Sequence, residues 1–238
     1  MRRLFFLLAL LGSTTVACGE NIVLSTPLGP PLSLKNQQGF IDQVVSEALK
    51  LTGHTLKVSH LPAERALINA NKGIDDGDLF RVAGLSQNYP NLTQTPEKTF
   101  TMEFVAFSRT EDFRTTDWNS LKPYTIGIIG GWKILEKNVP PGTDLIKVKN
   151  PQQLFSLLQN NRVDVILFGK WQGLSYLKEN NIRGVKELHP ALAKMDMFVY
   201  FNKRHQDLVP KFSDALRQIK ANGVYQQLYR QTLLPLIQ

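Results

Sequence analysis

The run T-F-T-M-E-F-V-A-F-S, residues 99–108, is β-rich along its whole length and gives way to a charged, polar stretch at residues 109–119. A second run of the same kind, M-D-M-F-V-Y-F, stands at residues 195–201. Before and between these runs, short apolar strands alternate with helical spacing, whereas only helical patterns follow the second. That order predicts an α/β chain of two lobes, each a mainly parallel sheet flanked by helices, joined by two hinge strands. Two extended crossings permit closure over a cleft. The competing reading is a single compact α/β domain. The two-lobe division puts a leader at residues 1–17, lobe 1 at 20–107 and 196–238, and lobe 2 at 108–195.

Working outward from the crossings, residues 21–25 (N-I-V-L-S) read as a buried strand that stops at Thr26-Pro27. A loop rich in proline and glycine follows. Ile41, Val44, Val45, Ala48 and Leu49 then recur at helical spacing until Thr52-Gly53 ends the pattern. Leu56, Val58 and His60 mark a second strand, and residues 62–71 a short helix. In the middle third, Y-T-I-G-I-I-G-G-W at residues 124–132 opens a second series. Asn150 is placed to cap a helix with Pro151 in its first turn, and residues 163–168 (V-D-V-I-L-F) form another buried strand. A helix over residues 171–178 follows, and Phe212, Ala215, Leu216 and Ile219 give a later helix its apolar stripe.

The leader reads as a secretory signal peptide. Arg2 and Arg3 precede an apolar run at residues 4–11, and Thr15-Val16-Ala17 supply small residues before a cut. The run is far shorter than the roughly 20 residues of a membrane span, so no transmembrane span is expected in the mature protein. Cys18 is the one cysteine and directly follows Val16-Ala17. Either it is the acylated residue of a lipoprotein box, or the leader is cut in the ordinary way nearby. No intrachain disulfide is open to the chain. The net charge of +8 loses two units with Arg2 and Arg3, and the other basic residues are scattered without a stripe or run. Nucleic acid is therefore a poor partner, whereas a small anionic or zwitterionic ligand suits the surface.

His54, His60, His189 and His205 are far apart in sequence and carry no zinc-ligand spacing. No G-x-S-x-G elbow or P-loop occurs, and Gly127-Ile128-Ile129-Gly130-Gly131 is not a dinucleotide fingerprint. The last segment does belong to another set of motifs. With the opening strand come Pro30-Pro31-Leu32-Ser33 and Gly39-Phe40-Ile41-Asp42; then Asn71-Lys72-Gly73-Ile74-Asp75; and finally Asn161-Arg162-Val163-Asp164-Val165. Each is weak alone. In this order and spacing the mature chain resembles the periplasmic solute-binding proteins of family 3, the substrate-binding type of polar amino acid ABC transporters. The resemblance implies the two-lobed periplasmic-binding-protein fold, a periplasmic location, a small-molecule ligand, no catalysis and no cofactor. It further implies an ABC permease as partner; a membrane sensor reading lobe closure is the alternative.

In open α/β lobes, ligands sit beyond the carboxyl ends of the strands. Arg81, after Asp76-Gly77-Asp78, is the leading anchor, because the family commonly holds a ligand carboxylate with an arginine from this region, and a guanidinium fork suits that task. Arg65, at a strand-to-helix transition, is the second, or else pairs at the surface with Glu64. Asp78 accepts either from a ligand ammonium or from its own turn, and Tyr89 packs either on a ligand or in its loop. Gly130 and Gly131 offer backbone N–H groups to an anion at a helix start. Trp132 and Trp171 are each either cleft wall or core. The resemblance also implies an aspartate just after the strand at residues 163–168, where this chain has Gly169-Lys170. A glycine supplies no acceptor and Lys170, if it faces the ligand, repels an ammonium. A carboxylate without an amine, or a peptide-like or aromatic acid, becomes the expected ligand.

Overall fold

The computed structural model describes residues 19–237, so the leader and Cys18 lie outside the described residues. The chain opens with β1 (Asn21–Thr26), α1 (Phe40–Leu51), β2 (Thr55–His60), α2 (Ala63–Lys72) and β3 (Gly77–Val82). Then come the short β4 (Leu92–Gln94) and the long β5 (Phe100–Ser108). A second series follows: β6 (Ile126–Ile129), α3 (Lys133–Asn138), β7 (Leu145–Val148), α4 (Pro151–Gln159), β8 (Val165–Gly169) and α5 (Lys170–Glu179). β9 (Lys186–Asn202) returns the chain to α6 (Leu208–Ala221) and α7 (Val224–Thr232).

The strands follow the order β2-β1-β3-β9-β5-β8-β6-β7, with β4 added to β9. β1 pairs in parallel with β2 and β3, and β6 in parallel with β7 and β8. β5 and β9 run antiparallel beside each other between the two parallel groups. The molecule is thus an α/β protein of two lobes, and the runs at residues 99–108 and 195–201 are the strands that stand between them. β9 extends well upstream of the run read from sequence, because Lys186–Leu188 pair with Ala106–Ser108 despite their polar character.

Local physics accounts for most elements. Asn150 Oδ1 accepts from the Gln153 amide at 2.9 Å, and Pro151 occupies the first turn of α4, where a missing N–H costs nothing. α1 buries Phe40, Ile41, Val44, Val45, Ala48 and Leu49, and Phe40 meets the rings of Phe100, Tyr225 and Tyr229 at 5.5, 5.3 and 6.0 Å. These edge-on contacts bind the first helix to α7 and to β5. Asp42 is fully buried and accepts from Ser33 Oγ (2.6 Å), Leu34 N (2.8 Å) and Gly39 N (3.1 Å). One carboxylate therefore fastens the loop after β1 to the first turn of α1.

The turn expected at Asp78 is instead the start of β3, with Gly77 and Asp78 as its first residues. Its apolar Leu79 and Phe80 are buried between β1 and β9, and their short run is masked in sequence by flanking aspartates and glycine. At Gly173, α5 crosses β5 so closely that a Cβ would fall on the Phe107 ring. Gly173→Ala is expected to destabilise the fold by about 1–3 kcal/mol through overpacking. Adding Phe107→Leu should recover part of that loss in denaturant titrations, and a fully additive pair would show that the two sites do not touch.

Candidate functional site

A cleft of about 490 Å³ opens where the two lobes meet at the crossing strands. Lobe 1 contributes the loop Pro27, Leu28, Gly29 and Pro30 after β1, together with Ala63 at the start of α2. Met102 of β5 lies between the lobes. From lobe 2 come Ile129 at the end of β6, Trp132, the Lys149-Asn150-Pro151 entry to α4, and Phe168 near the end of β8. These positions follow the carboxyl ends of parallel strands, where side chains and loops of such sheets converge.

α5 supplies the remaining wall through Gln172, Ser175, Tyr176 and Glu179. Their spacing of three, four and seven puts them on one face of the helix. The opposite face is structural. Trp171 is buried in the core and meets the Tyr229 ring edge-on at 5.5 Å, so it is no cleft wall. Lys170 turns toward the crossing strands, with Nζ 3.1 Å from Glu187 and 3.9 Å from Glu103. Tied in this way, Lys170 is absent from the cleft lining. Lys170 and Trp171, the positions of this helix expected at the ligand, are thus absent from the cleft lining, and the periodic polar residues Gln172, Ser175 and Glu179 stand there instead.

Trp132 does line the cleft. Its indole stacks on Phe168 at 4.9 Å and 27°, and Phe104 meets it edge-on at 5.8 Å. Gly130 and Gly131 beside it do not offer the expected anion cradle. The Gly130 amide donates to Val148 O at 2.9 Å and the Gly131 amide to Glu136 Oε1 at 3.1 Å. The chain's own carboxylate thus occupies that place. The Gly131 amide, Lys133 and Lys147 hold the Glu136 carboxyl down at about 2. α3, moreover, is only six residues long.

Arg81 lies in β3 rather than in a loop, and it is absent from the cleft lining. Its Nε donates to Asp78 Oδ2 at 2.9 Å and its Nη2 to the Ala63 carbonyl at 2.7 Å. The guanidinium therefore braces the start of α2 from behind the lobe 1 wall. Asp78 is fully buried, bonds Arg81 and accepts from the Phe80 amide at 3.2 Å, so it serves the strand and not a ligand ammonium. Arg65 is exposed on α2, outside the lining, and makes no ion pair with Glu64 among the described residues. Tyr89 packs with Leu67, Ala70, Leu92 and Tyr200 in a small separate cluster, which is its loop-packing alternative.

The chain matches no family model. It is 23% identical over 200 residues to a protein of Shewanella oneidensis of uncharacterized function, the match spanning 81% of this chain and 75% of the relative. Solved structures are similar over nearly the whole length. A histidine kinase sensor domain with similarity to periplasmic binding proteins matches at TM-score 0.73 and 15% identity, over 91% of this chain and 97% of that one. The chain has the periplasmic-binding-protein fold. An ancestral arginine-binding protein bound to arginine matches it at TM-score 0.72 and 18% identity, over 90% and 99% of the two chains. The unliganded L-cystine solute receptor of Neisseria gonorrhoeae matches at TM-score 0.69 and 20% identity, over 91% and 93%. This agrees with the fold that the sequence motifs implied, and among the described residues no helix is long and apolar enough to cross a membrane.

The Asp78–Arg81 brace has a pH signature. Burial pushes the Asp78 carboxyl up from 3.8 to about 6, outweighing the lowering effect of the adjacent guanidinium. The folded chain then holds a proton that the unfolded chain has already released. The contribution to stability is complete below the unfolded value and declines as pH rises toward 6. The stability difference between wild type and Asp78→Asn should fall from pH 4 to 6 and level off above it. A flat difference in urea titrations across that range would contradict the assignment.

Proposed function

We propose that this chain is a non-enzymatic, extracytoplasmic binding protein that closes on a small molecule in the cleft between its lobes. The observation that carries the reading is that one cavity is lined from both lobes and from Met102 between them, so a bound molecule touches both walls. Closure then favours the bound state because contacts to the second wall form only when the lobes approach. The proposed lobes are residues 20–107 with 196–238, and 108–195. Pairing of Phe104–Ser108 with β8 argues for a crossing nearer Phe104 than residue 107.

Export fits the leader read from sequence, with the mature protein free in the periplasm or anchored through Cys18. Delivery to an ABC-type permease is the first role we propose. Reading of the closed state by a membrane sensor is the second, supported by the likeness to a histidine kinase sensor domain.

Thermal melting of the mature chain against amino acids, dicarboxylates, aromatic acids, polyamines and small peptides tests the binding role. A ligand at 100 times its Kd adds about 2.7 kcal/mol to the folded state, a shift of a few degrees for a domain of this size. The same ligand should reduce the radius of gyration in X-ray scattering. No shift with any compound would remove the binding-protein reading.

A further inference from the structure

We propose, on the basis of that binding reading, that the cleft takes an aromatic monocarboxylate and discriminates against the α-amino acid with the same side chain. The wall is built for a flat apolar body. Trp132, backed by Phe168 stacked against it, presents an aromatic face, and Met102, Ile129 and Leu28 complete an apolar lining around it. Aromatic faces and a thioether favour a ring laid against them.

The polar groups of the lining are sparse. The Gln172 amide and the Tyr176 hydroxyl have no protein hydrogen-bond partner among the described residues, and burial pushes the Tyr176 phenol up, keeping it a neutral donor. Lys149 is the one basic residue of the lining and makes no ion pair among the described residues. It stands immediately before the Asn150 cap of α4, a nine-residue helix whose cap and first residue, Pro151, also line the cleft at its positive end. A carboxylate thus finds a free ammonium and neutral donors.

An α-ammonium finds much less. At Gly169 the space a side chain would fill is taken by the Gln172 amide, with the Met102 methyl 2.9 Å from the Cβ position. No acidic side chain can stand there without displacing both. The single carboxylate of the lining, Glu179, accepts from Ser175 Oγ at 2.5 Å and lies two helical turns beyond Gln172, about 10 Å along α5. Asp78 is tied to Arg81, and Glu136 to the Gly131 amide. An amino acid carries both charges on one carbon, and this cleft pairs only the negative one near the strand ends.

Calorimetry at low salt with matched pairs, indole-3-acetate against L-tryptophan and phenylacetate against L-phenylalanine, decides the point. The amine-free member should bind at least tenfold more tightly. Lys149→Gln should weaken it about fivefold or more, and Trp132→Ala tenfold or more. Trp132→Phe, which keeps a ring and spares the fold, should retain most of the affinity. Equal or tighter binding of the amino acids, or affinity indifferent to both Lys149→Gln and Trp132→Ala, overturns the proposal. Binding of L-arginine or L-glutamate in preference to the aromatic acids also overturns it, while leaving the binding-protein reading intact. Silence of all these compounds overturns the ligand class alone if the wider melting panel gives a hit, and both readings if it does not.

Discussion

The antiparallel pairing of β5 with β9 is the constraint on which the rest depends. From Phe100↔Met197 to Ser108↔Lys186 the two strands share a ladder that also carries β3 on one side and β8 on the other. Backbone hydrogen bonds thus join two parallel sheets that have no direct pairing of their own. The register slips between Phe104 and Ala106, where β9 passes from Ala193 to Leu188. Such irregularities bend a strand and increase its twist. Here the bend coincides with the change from one lobe's sheet to the other's, and Met102, a cleft residue, stands just before it.

Charged groups reinforce this junction and leave the cleft comparatively bare of them. Glu103 takes Lys194 at 2.6 Å, and Glu187 takes Lys170 at 3.1 Å, so both crossing strands and α5 share one ionic cluster. The Lys194 end of the cluster is exposed and adds little stability, but the more buried Lys170–Glu187 pair orients the helix that bears four residues of the lobe 2 wall. Arg81 and Asp78 do the same for α2, and Asp42 holds Ser33 and Leu34 in the later part of the loop after β1. In each case a residue type associated with ligand recognition holds up a wall instead, and the wall presents aromatic and apolar side chains to the cavity.

What could be read in advance divides along the range of the forces involved. α4 was legible because Asn150-Pro151 and the stripe Leu154, Phe155, Leu158 are local signals of cap and face. The pair of crossing strands was legible because both are long, β-rich and flanked by contrasting patterns. β3 and β7 were missed, since four to six residues with polar neighbours carry too little periodicity to stand out. Of the residues that line the cleft, Trp132 and the loop after β1 stand where sequence places ligand contacts, whereas Gln172, Tyr176 and Lys149 carry no such signal. Nothing local distinguishes Lys149 from the chain's other lysines, because only folding places it in the cleft lining.

By itself the sequence determined the class of the fold, the order of its longer elements and the presence of two crossings. Those follow from apolar periodicity, caps and turn residues, which act over a few positions of chain. Only the tertiary structure decided which charges are spent within the protein and which remain free. Lys170 finds carboxylates brought to it by β5 and β9, Arg81 spans from Asp78 of its own strand to the Ala63 carbonyl of α2, and the Gly131 amide finds Glu136 across a turn. Whether a charged group braces a wall or meets a ligand depends on the partner that folding places within about 3–4 Å, and that distance is not written in local sequence.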